Sequence, residues 1–585
     1  MVEKVETLQI DIALAYKNKL HKRLRKLSNI LIRSKAAHII AVKRVATNKG
    51  VRSPGWSVPR VPITTNREYQ KLVDDLYSIT RNPNSYKSAP LYRVMIPKPN
   101  QPGVYRPLSV PSYTDRALQA LYHLALDPIA ESEAAKYSYG FRKGRSPIWA
   151  AVKLQSLLNT ANISVPNIIE LDIEKFFDRI CHKYIQENIP IIHPNILNQW
   201  LKCGYIHAPS MLNANQELNP TEMGVPQGGI ISPTISNMVL DGLGTFDDSP
   251  SEIFTIRFAD DVIVLVRQNA TSQSEPNKVL ELIAKNLAIR GLNYSQNKTK
   301  ITPLHLITRP RRFNFVGFEF LVFTKVNKRF KNIGEYTQKC VIRPLPSNIK
   351  AHKEKISRIL TNSISISTAI SKINPIITGF SNYYRFGNSS RTFASLSRWL
   401  YFKMTRWLFR TKGWSTERVN KHLTDQQEHP NCPSPGGWFW TYGSWRGRKY
   451  DNRVIFLKRY FKNFPIIYIR KRIPSQLNYY DLNDRAIIHK FQLDMSPGRR
   501  SKLLAASEFR CRLCGCDLTD SNYEIHHILP IALGGKDLDK NLAPLCRTPC
   551  HRNVTAAVRG LPFSLDECEI YIDKGVLILP ERYVR

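Results

Sequence analysis

The tetrapeptide Phe258-Ala259-Asp260-Asp261 carries the strongest chemical signal in the chain. It lies between Thr255-Ile256-Arg257 and Val262-Ile263-Val264-Leu265-Val266, two short runs rich in β-branched residues whose junction reads as a hairpin tip. Adjacent carboxylates at such a tip repel each other unless a cation sits between them and a partner. A third carboxylate, Asp172, ends the apolar run Ile168-Ile169-Glu170-Leu171 upstream. Three aspartates on strand ends can hold a pair of Mg²⁺ ions about 3.5–4 Å apart, the arrangement that drives nucleotidyl transfer. An acidic surface turn is the bland alternative, and the rest of the chain argues against it.

The second chemical cluster lies near the C-terminus. Cys511-Arg512-Leu513-Cys514 is followed by Glu524-Ile525-His526-His527, Gly534-Gly535, Asn541-Leu542 and Cys546-Arg547-Thr548-Pro549-Cys550-His551. Two cysteine pairs framing histidines argue for metal, not disulfide, in a chain without a secretion signal. The pattern resembles an HNH nuclease with an embedded zinc site. The resemblance assigns Cys511, Cys514, Cys546 and Cys550 to one structural Zn²⁺, since four thiolates suit tetrahedral zinc and would hold a module too small to be stable on apolar burial. Cys516 is a bystander or a substitute ligand. The second pair has three intervening residues where two are commoner. His527 would be the general base, a neutral imidazole being the natural base near neutral pH. His526 and His551 would hold one divalent ion at the scissile phosphate, and Asn541 would orient the histidine or its loop. A zinc-ribbon binder without nuclease activity is the alternative, but three histidines and an asparagine exceed what a ribbon needs.

Stepping out to the whole chain, 585 residues are too many for one core and imply roughly three to five domains. Lys and Arg number 86 against 46 Asp and Glu, a net charge of +40 that makes a polyanion the default partner. No apolar run approaches the roughly 18 residues that suggest a membrane span. Glu3, Glu6 and Asp11 in the first residues fit neither a secretory signal nor a transit peptide. The expected location is the compartment of synthesis, a bacterial cytoplasm or an organelle that encodes its own protein.

Periodicity supplies the elements. Residues 1–50 interleave Lys19, Arg23, Arg25, Lys26, Arg33 and Lys35 with Leu20, Leu24, Leu27, Ile30, Leu31 and Ile32, which predicts a basic amphipathic helix pair. Residues 50–66, with Gly50, Pro54, Gly55, Pro59 and Pro62, read as loop. Residues 90–350 alternate strands and helices in an α+β pattern. Helical periodicity returns over 350–430, Asn431–Gly437 reads as a linker, and 438–472 is basic and aromatic.

Around the acidic tip, seven motifs follow in order. They are Pro90–Lys98 with Tyr105-Arg106-Pro107-Leu108, Ser138-Tyr139-Gly140-Phe141-Arg142-Lys143-Gly144-Arg145-Ser146, and Leu171-Asp172-Ile173-Glu174-Lys175-Phe176-Phe177-Asp178. Then come Gly224-Val225-Pro226-Gln227-Gly228-Gly229-Ile230-Ile231-Ser232-Pro233, the acidic hairpin, Asn297-Lys298-Thr299-Lys300-Ile301, and Phe313-Asn314-Phe315-Val316-Gly317-Phe318. This series resembles the reverse transcriptases encoded by group II introns, and the resemblance covers nearly the whole chain. It implies a multidomain α+β architecture: right-hand polymerase fingers and palm (90–335), an N-terminal basic helical extension (1–89), an α-helical thumb or maturase domain (336–430), a basic aromatic DNA-binding region (431–500), and a small zinc-containing ββα-metal (HNH) domain (501–585).

By the same resemblance, Asp172 and Asp260 coordinate two catalytic Mg²⁺ ions, Asp261 completes the cluster and the carbonyl of Ile173 adds a ligand. Mg²⁺ suits carboxylate and phosphate oxygens. Phe177 would stack under the incoming sugar and exclude a 2′-hydroxyl; alternation along the chain predicts that only one of Phe176 and Phe177 is core. Lys98 and Arg106 would grip the triphosphate. Gln227 and Gly228 would let backbone approach template and dNTP, and Lys298 would neutralise phosphate. Two departures stand out. The hairpin reads FADD where YADD is usual, which keeps the ring, and Pro54-Gly55-Trp56-Ser57 lacks an aspartate common in the family.

Residues Ile373–Arg385 look like the family's maturase signature, with Tyr383, Tyr384 and Arg385 either contacting RNA or, for the tyrosines, filling helix core. Arg446, Arg448, Lys449, Arg453, Lys458, Arg459, Lys462, Arg470, Lys471 and Arg472, interleaved with Trp445, Tyr450, Phe456, Tyr460, Phe461 and Tyr468, suit nucleic-acid backbones. The partners implied are intron RNA as a ribonucleoprotein, target DNA and dNTPs, with no membrane and with a homodimer as one assembly open to it. The function implied is splicing assistance, target-strand nicking and cDNA synthesis. The alternatives are a non-catalytic splicing cofactor, in which the aspartates are usually lost, and a reverse transcriptase not associated with an intron.

Overall fold

In the computed structural model, the described residues are 1–47, 65–98, 103–159, 167–207, 217–243, 253–266, 276–304, 310–326, 336–362, 365–419, 440–442, 454–460, 464, 466–467, 477–495, 503–504, 506–518, 523–529, 538–558, 571–573 and 576–578. The Pro54–Ser57 loop, the 431–437 linker, Gly534-Gly535 and the basic residues of 443–453 and 468–472 lie outside them.

Where a helix pair was expected, the N-terminal region forms three helices, α1 (Val2–Lys17), α2 (His21–Arg33) and α3 (Lys35–Thr47), followed by α4 (Asn66–Arg81). The extra break is local: Lys19 takes a positive φ between α1 and α2, and Ser34 is extended between α2 and α3. Thr65 and Glu68 start α4 with a reciprocal capping box. A hairpin follows, β1 (Leu91–Pro97) and β2 (Tyr105–Val110), which β4 (Tyr205–His207) joins in parallel to β1. Helix α5 (Tyr113–Glu133) is buried along most of its length, and α6 (Pro147–Leu158) follows.

The sheet that matters is antiparallel, in the order β5 (Ile253–Phe258), β6 (Asp261–Val266), β3 (Asn167–Asp172), β7 (Lys300–Pro303). Successive strand side chains point to opposite faces, and here both faces are covered. Ile169, Leu171, Val262, Val264 and Val266 join the core of α1–α5. Ile168, Ile256, Ile263 and Leu265 join the core that contains α6 and the C-terminal helices. The all-apolar run of β6 is therefore a strand buried on both sides. The N-terminal helices share one core with the sheet.

Short helices α7 (Phe176–Arg179), α8 (His182–Asn188) and α9 (Pro194–Lys202) lie between β3 and β4, and α10 (Ser232–Leu240) and α11 (Pro276–Ile289) lie around the β5–β6 hairpin. A second antiparallel sheet, β8 (Arg311–Phe315), β9 (Phe318–Val326) and β10 (Tyr336–Pro344), leads into α12 (Pro346–Thr361), α13 (Ile366–Tyr384) and α14 (Ser390–Lys412). The maturase signature lies on α13. A small pair, β11 (Trp440–Tyr442) and β12 (Val454–Phe456), follows. Tyr460, read as a nucleic-acid aromatic, is fully buried against α12, where it meets His352 at 2.6 Å. Helix Leu482–Met495 and the turn before it dock on α5 and α6: Phe491 meets Trp149 edge-on at 5.5 Å, and the Tyr480 hydroxyl donates to Asp127 at 2.6 Å.

The last module has its own core around Leu504, Phe509, Leu513, Leu545 and Val554. It pairs β13 (Tyr523–His527) with β14 (Leu542–Cys546), followed by a π-turn over Arg547–His551 and the helix Arg552–Val558. A further pair, β15 (Tyr571–Asp573) and β16 (Val576–Ile578), ends the described chain. No helix among the described residues is long and apolar enough to cross a membrane.

Candidate active sites

Asp172 and Asp261 are register partners on neighbouring strands β3 and β6, and Asp260 sits in the two-residue turn between Phe258 and Asp261. The tip and the upstream carboxylate, 88 positions apart in the chain, thus meet at one end of the sheet. Ala259 supplies the positive φ, 59°, that this turn requires. Glu170, two residues before Asp172 and so on the same strand face, is a fourth nearby acid that sequence reasoning left unused.

Strand β8 is the edge of its sheet, and one of its N–H groups, with the first amide of the turn that follows it, ends on these acids. Asn314 donates to Glu170 Oε2 at 3.2 Å and Val316 donates to Asp261 Oδ2 at 3.1 Å. An edge that would otherwise present bare donors is capped by carboxylates. Lys298 Nζ lies 3.3 Å from Asp172 Oδ2; it meets the acid itself. Ile173 is held by bridge pairing to Tyr294.

Burial pushes the Asp261 carboxyl up to about 6, with Asp260, Glu170 and Asp172 adding repulsion. Asp260 is also raised, first by burial and then by Asp172, while its own amide, Arg106 and Lys98 pull it back. The fields of Lys98 and Arg106 therefore reach the tip from the open end of the β1–β2 hairpin, where Arg106 pairs with Ile96. A crowded set of hard oxygen donors whose charge is penalised is a set that fits divalent cations. The sign of the pH effect follows. Asp261 has a folded pKa above its unfolded value near 3.8, so its ionisation costs stability in full above pH 6, and that cost declines as pH falls from 6 towards 3.8. Bound cations relieve the same cost. Mg²⁺ should therefore raise the melting temperature more at pH 7.5 than at pH 5.5; an equal increment at both, read by calorimetry, contradicts this.

Phe176 is buried and Phe177 only partly so, with ring centroids 5.1 Å apart. The Phe177 carbonyl accepts from Val225 N at 2.7 Å, Gln227 Nε2 donates to Asp178 Oδ1 at 3.1 Å, and the Gln227 carbonyl accepts from Ser109 N at 2.8 Å. The Gln227-Gly228 turn thus bridges the Phe177 turn and β2. A Cβ at Gly228 would lie 2.5 Å from the Ser109 carbonyl oxygen, so only glycine allows that approach.

Sequence reasoning assigned no role to Gly140, or to the charges behind the hairpin. A Cβ on Gly140 would lie 2.2 Å from the Ala259 backbone nitrogen. Arg257, on β5 just before the hairpin tip, is fully buried; it donates to Asn237 Oδ1 at 2.9 Å and pairs with Asp241. Asn237 in turn donates to the Gly140 carbonyl at 2.8 Å, and Asp241 takes a bidentate contact from Arg142 at 2.9 Å. Buried charges survive only when paired, and their pairing fixes where the tip stands. Gly140→Ala must displace backbone at the tip and should lower primer extension at least tenfold, an effect readable in a single-nucleotide incorporation assay. Unchanged incorporation would mean that the tip tolerates the shift.

In the C-terminal module the four predicted thiols converge. Cys511, Cys514, Cys546 and Cys550 place their sulfurs within 4.8 Å of one another, the one such group of potential ligands among the described residues. Cys546 closes β14 and Cys550 lies in the π-turn, whose wider winding absorbs the third intervening residue. Cys511 Sγ also accepts from Cys546 N at 3.2 Å. His526 faces His551, ring centroids 5.4 Å apart, and its buried Nε2 has no hydrogen-bond partner. Burial lowers His526 to about 4, with His551 and His527 adding to the fall; His551 is lowered too, chiefly by burial. Two neutral imidazoles, one with an orphaned nitrogen, fit a metal ion. Asn541 fastens the loop after His527: it donates to the Leu529 carbonyl at 2.9 Å and accepts from Leu529 N at 2.8 Å.

Four family matches accord with this anatomy. Residues 96–320 match the reverse transcriptase (RNA-dependent DNA polymerase) family and residues 1–76 the N-terminal domain of reverse transcriptase. Residues 349–425 match the group II intron, maturase-specific domain, and residues 511–557 match HNH endonuclease. The chain therefore carries a reverse transcriptase domain, a group II intron maturase-specific domain and an HNH endonuclease domain. Protein YkfC of Escherichia coli is 33% identical over 34% of the chain and 51% of YkfC. The COX1/OXI3 intron 2 protein of Saccharomyces cerevisiae is 28% identical over 37% of the chain and 24% of that protein. The group II intron-encoded protein LtrA of Lactococcus lactis is 28% identical over 36% of the chain and 33% of LtrA. The matches therefore span from a quarter to half the length of these relatives. Relatives come from bacteria and from organelle introns.

Proposed function

We propose that this protein binds a group II intron RNA, supports its splicing, and serves the intron's entry into DNA by copying RNA into cDNA and nicking one target strand. The observation that carries the reading is the register pairing of Asp172 with Asp261 beside Asp260, on a chain that also holds a four-thiol cluster next to a histidine pair. Asp172 and Asp260, with the Ile173 carbonyl, would hold paired Mg²⁺, and Asp261 completes the cluster. When bound there, such ions lower the pKa of a primer 3′-hydroxyl and neutralise charge on the departing pyrophosphate. Lys98 and Arg106 would hold the triphosphate, Phe177 would pack under the sugar, Gln227 and Gly228 would bring backbone to the template, and Lys298 would hold Asp172 until a phosphate competes for it. In the HNH domain, Cys511, Cys514, Cys546 and Cys550 would hold Zn²⁺, His526 and His551 one divalent ion, and His527 would take the proton from water, with Asn541 fixing the loop behind it. The domain boundaries at 89, 335, 430 and 500 belong to the same reading.

The test is direct. Purified protein is given an RNA template with a DNA primer and Mg²⁺, and separately a DNA duplex carrying the joined exons without the intron, with the intron ribonucleoprotein. Extension of the primer and a nick in one strand are expected. Intron RNA that splices faster with the protein, yet no extension, would make it a non-catalytic splicing cofactor.

A further inference from the structure

Tyr384 of the maturase signature is buried and Tyr383 half-buried, and both hydroxyls are turned to protein backbone. The Tyr383 hydroxyl donates to the Val316 carbonyl at 2.7 Å, and the Tyr384 hydroxyl donates to the Gly317 carbonyl at 3.0 Å. Val316 is the residue whose amide holds Asp261 Oδ2 at 3.1 Å. We infer that Tyr383 and Tyr384 are positioning residues for the Asp261 carboxylate, acting through the turn between β8 and β9, so that helix α13 of the maturase domain sets the geometry of the polymerase site. The inference rests on the polymerase reading above.

The turn needs outside support. Val316 and Gly317 both take positive φ, 42° and 76°. For a β-branched valine that conformation is strained and persists only where its surroundings over-determine it. Those surroundings come from α12 and α13. Asn348 Nδ2 donates to the Tyr384 hydroxyl at 2.9 Å and to the Gly317 carbonyl at 3.3 Å. The ring of Phe318, the next residue, stacks on Tyr383 at 5.3 Å and meets Tyr384 edge-on at 5.1 Å. A Cβ on Gly317 would come within 3.2 Å of Asn348 and 3.4 Å of the Tyr384 hydroxyl. Both tyrosine hydroxyls are thus committed to the two carbonyls of the turn, and the amide at its start is committed to Asp261. A shift of α13 moves the Val316 amide, and the carboxylate either follows it or loses its only backbone donor among the described contacts.

The experiment uses the full chain and removes one oxygen, Tyr383→Phe. Three quantities are compared with wild type: the unfolding midpoint, the affinity of the free protein for Mn²⁺ by paramagnetic resonance, and kcat and KM for a single dNTP. One hydrogen bond of ordinary net strength corresponds to about fivefold. We expect kcat and Mn²⁺ affinity each to fall by about that factor or more, with the KM for dNTP unchanged and the unfolding midpoint lowered by no more than the loss of one hydrogen bond explains. Asn348→Ala, which leaves both rings in place, should move the same two quantities and covers the case in which Tyr383→Phe folds poorly. Wild-type Mn²⁺ affinity in both variants overturns the inference, as does a loss of kcat that merely tracks a lower midpoint. A wild-type protein that extends no primer overturns the polymerase reading instead, and the Mn²⁺ comparison still decides the relay.

Discussion

Asp260→Ala abolishes primer extension, with a loss of at least about 10³-fold, while support of intron splicing persists. The magnitude follows from what the residue offers. Asp260 stands at the turn between β5 and β6, beside the Asp172–Asp261 register pair; if it holds the ions as proposed, its loss removes an interaction needed mainly in the transition state, so the effect falls on kcat, and about 4 kcal/mol corresponds to the stated factor. Folding should not suffer. Burial raises Asp260, and Asp260 adds repulsion at Asp261, so alanine relieves unfavourable charge and the metal-free protein should melt no lower than wild type. On the proposed reading RNA binding does not use the Asp260 carboxylate, so splicing should survive. The measurement is extension of a labelled primer on an RNA template beside a splicing assay on the same preparation. Residual extension near the wild-type rate would remove Asp260 from the ion site, and loss of splicing together with extension would point to a folding defect.

The second large effect separates two roles inside the HNH domain. Cys546→Ser should unfold the domain, whereas His527→Ala should leave it folded and silence it. The described core of this module is small, centred on Leu504, Phe509, Leu513, Leu545 and Val554, and structural zinc in such modules supplies roughly 10–16 kcal/mol of apparent binding free energy. Withdrawing one of four thiols that lie within 4.8 Å of one another forfeits most of that. Proteolysis within residues 503–558 and loss of strand nicking are expected, with primer extension preserved because the polymerase cores are separate clusters. His527 pairs with Leu542 on the strand register and belongs to no thiol group. Its removal should lower nicking by about 10²–10⁴-fold, the usual worth of a general base, with one zinc per chain still measured by atomic absorption. Zinc loss in His527→Ala would make that histidine structural.

How much of this was legible in the residues differs by element. The β5–β6 hairpin was readable because β-branched runs flank an acidic pair and strand periodicity is short-range. The four thiols were readable because metal ligands must have particular chemistry whatever the surrounding fold. Three helices instead of two at the N-terminus were not readable, since Lys19 and Ser34 break the chain through local backbone angles that an amphipathic pattern does not encode. Gly140 lay in a quoted motif, yet nothing in the motif says that it abuts Ala259. The aromatic and basic stretch around Tyr460 read as a nucleic-acid surface, but burial took that tyrosine into the core against α12.

The sequence by itself determined the chemistry available: which side chains can hold hard or soft cations, in what order along the chain, and a net charge of +40 that makes a polyanion the default partner. It did so because ligand type and charge are properties of single residues. The tertiary structure decided who stands next to whom. It set Asp172 against Asp261, spent the Tyr383 and Tyr384 hydroxyls on the Val316-Gly317 turn, and buried Arg257 on Asp241 beneath the tip. Such contacts join residues scores of positions apart, and only the packing of two sheets and their covering helices can choose them.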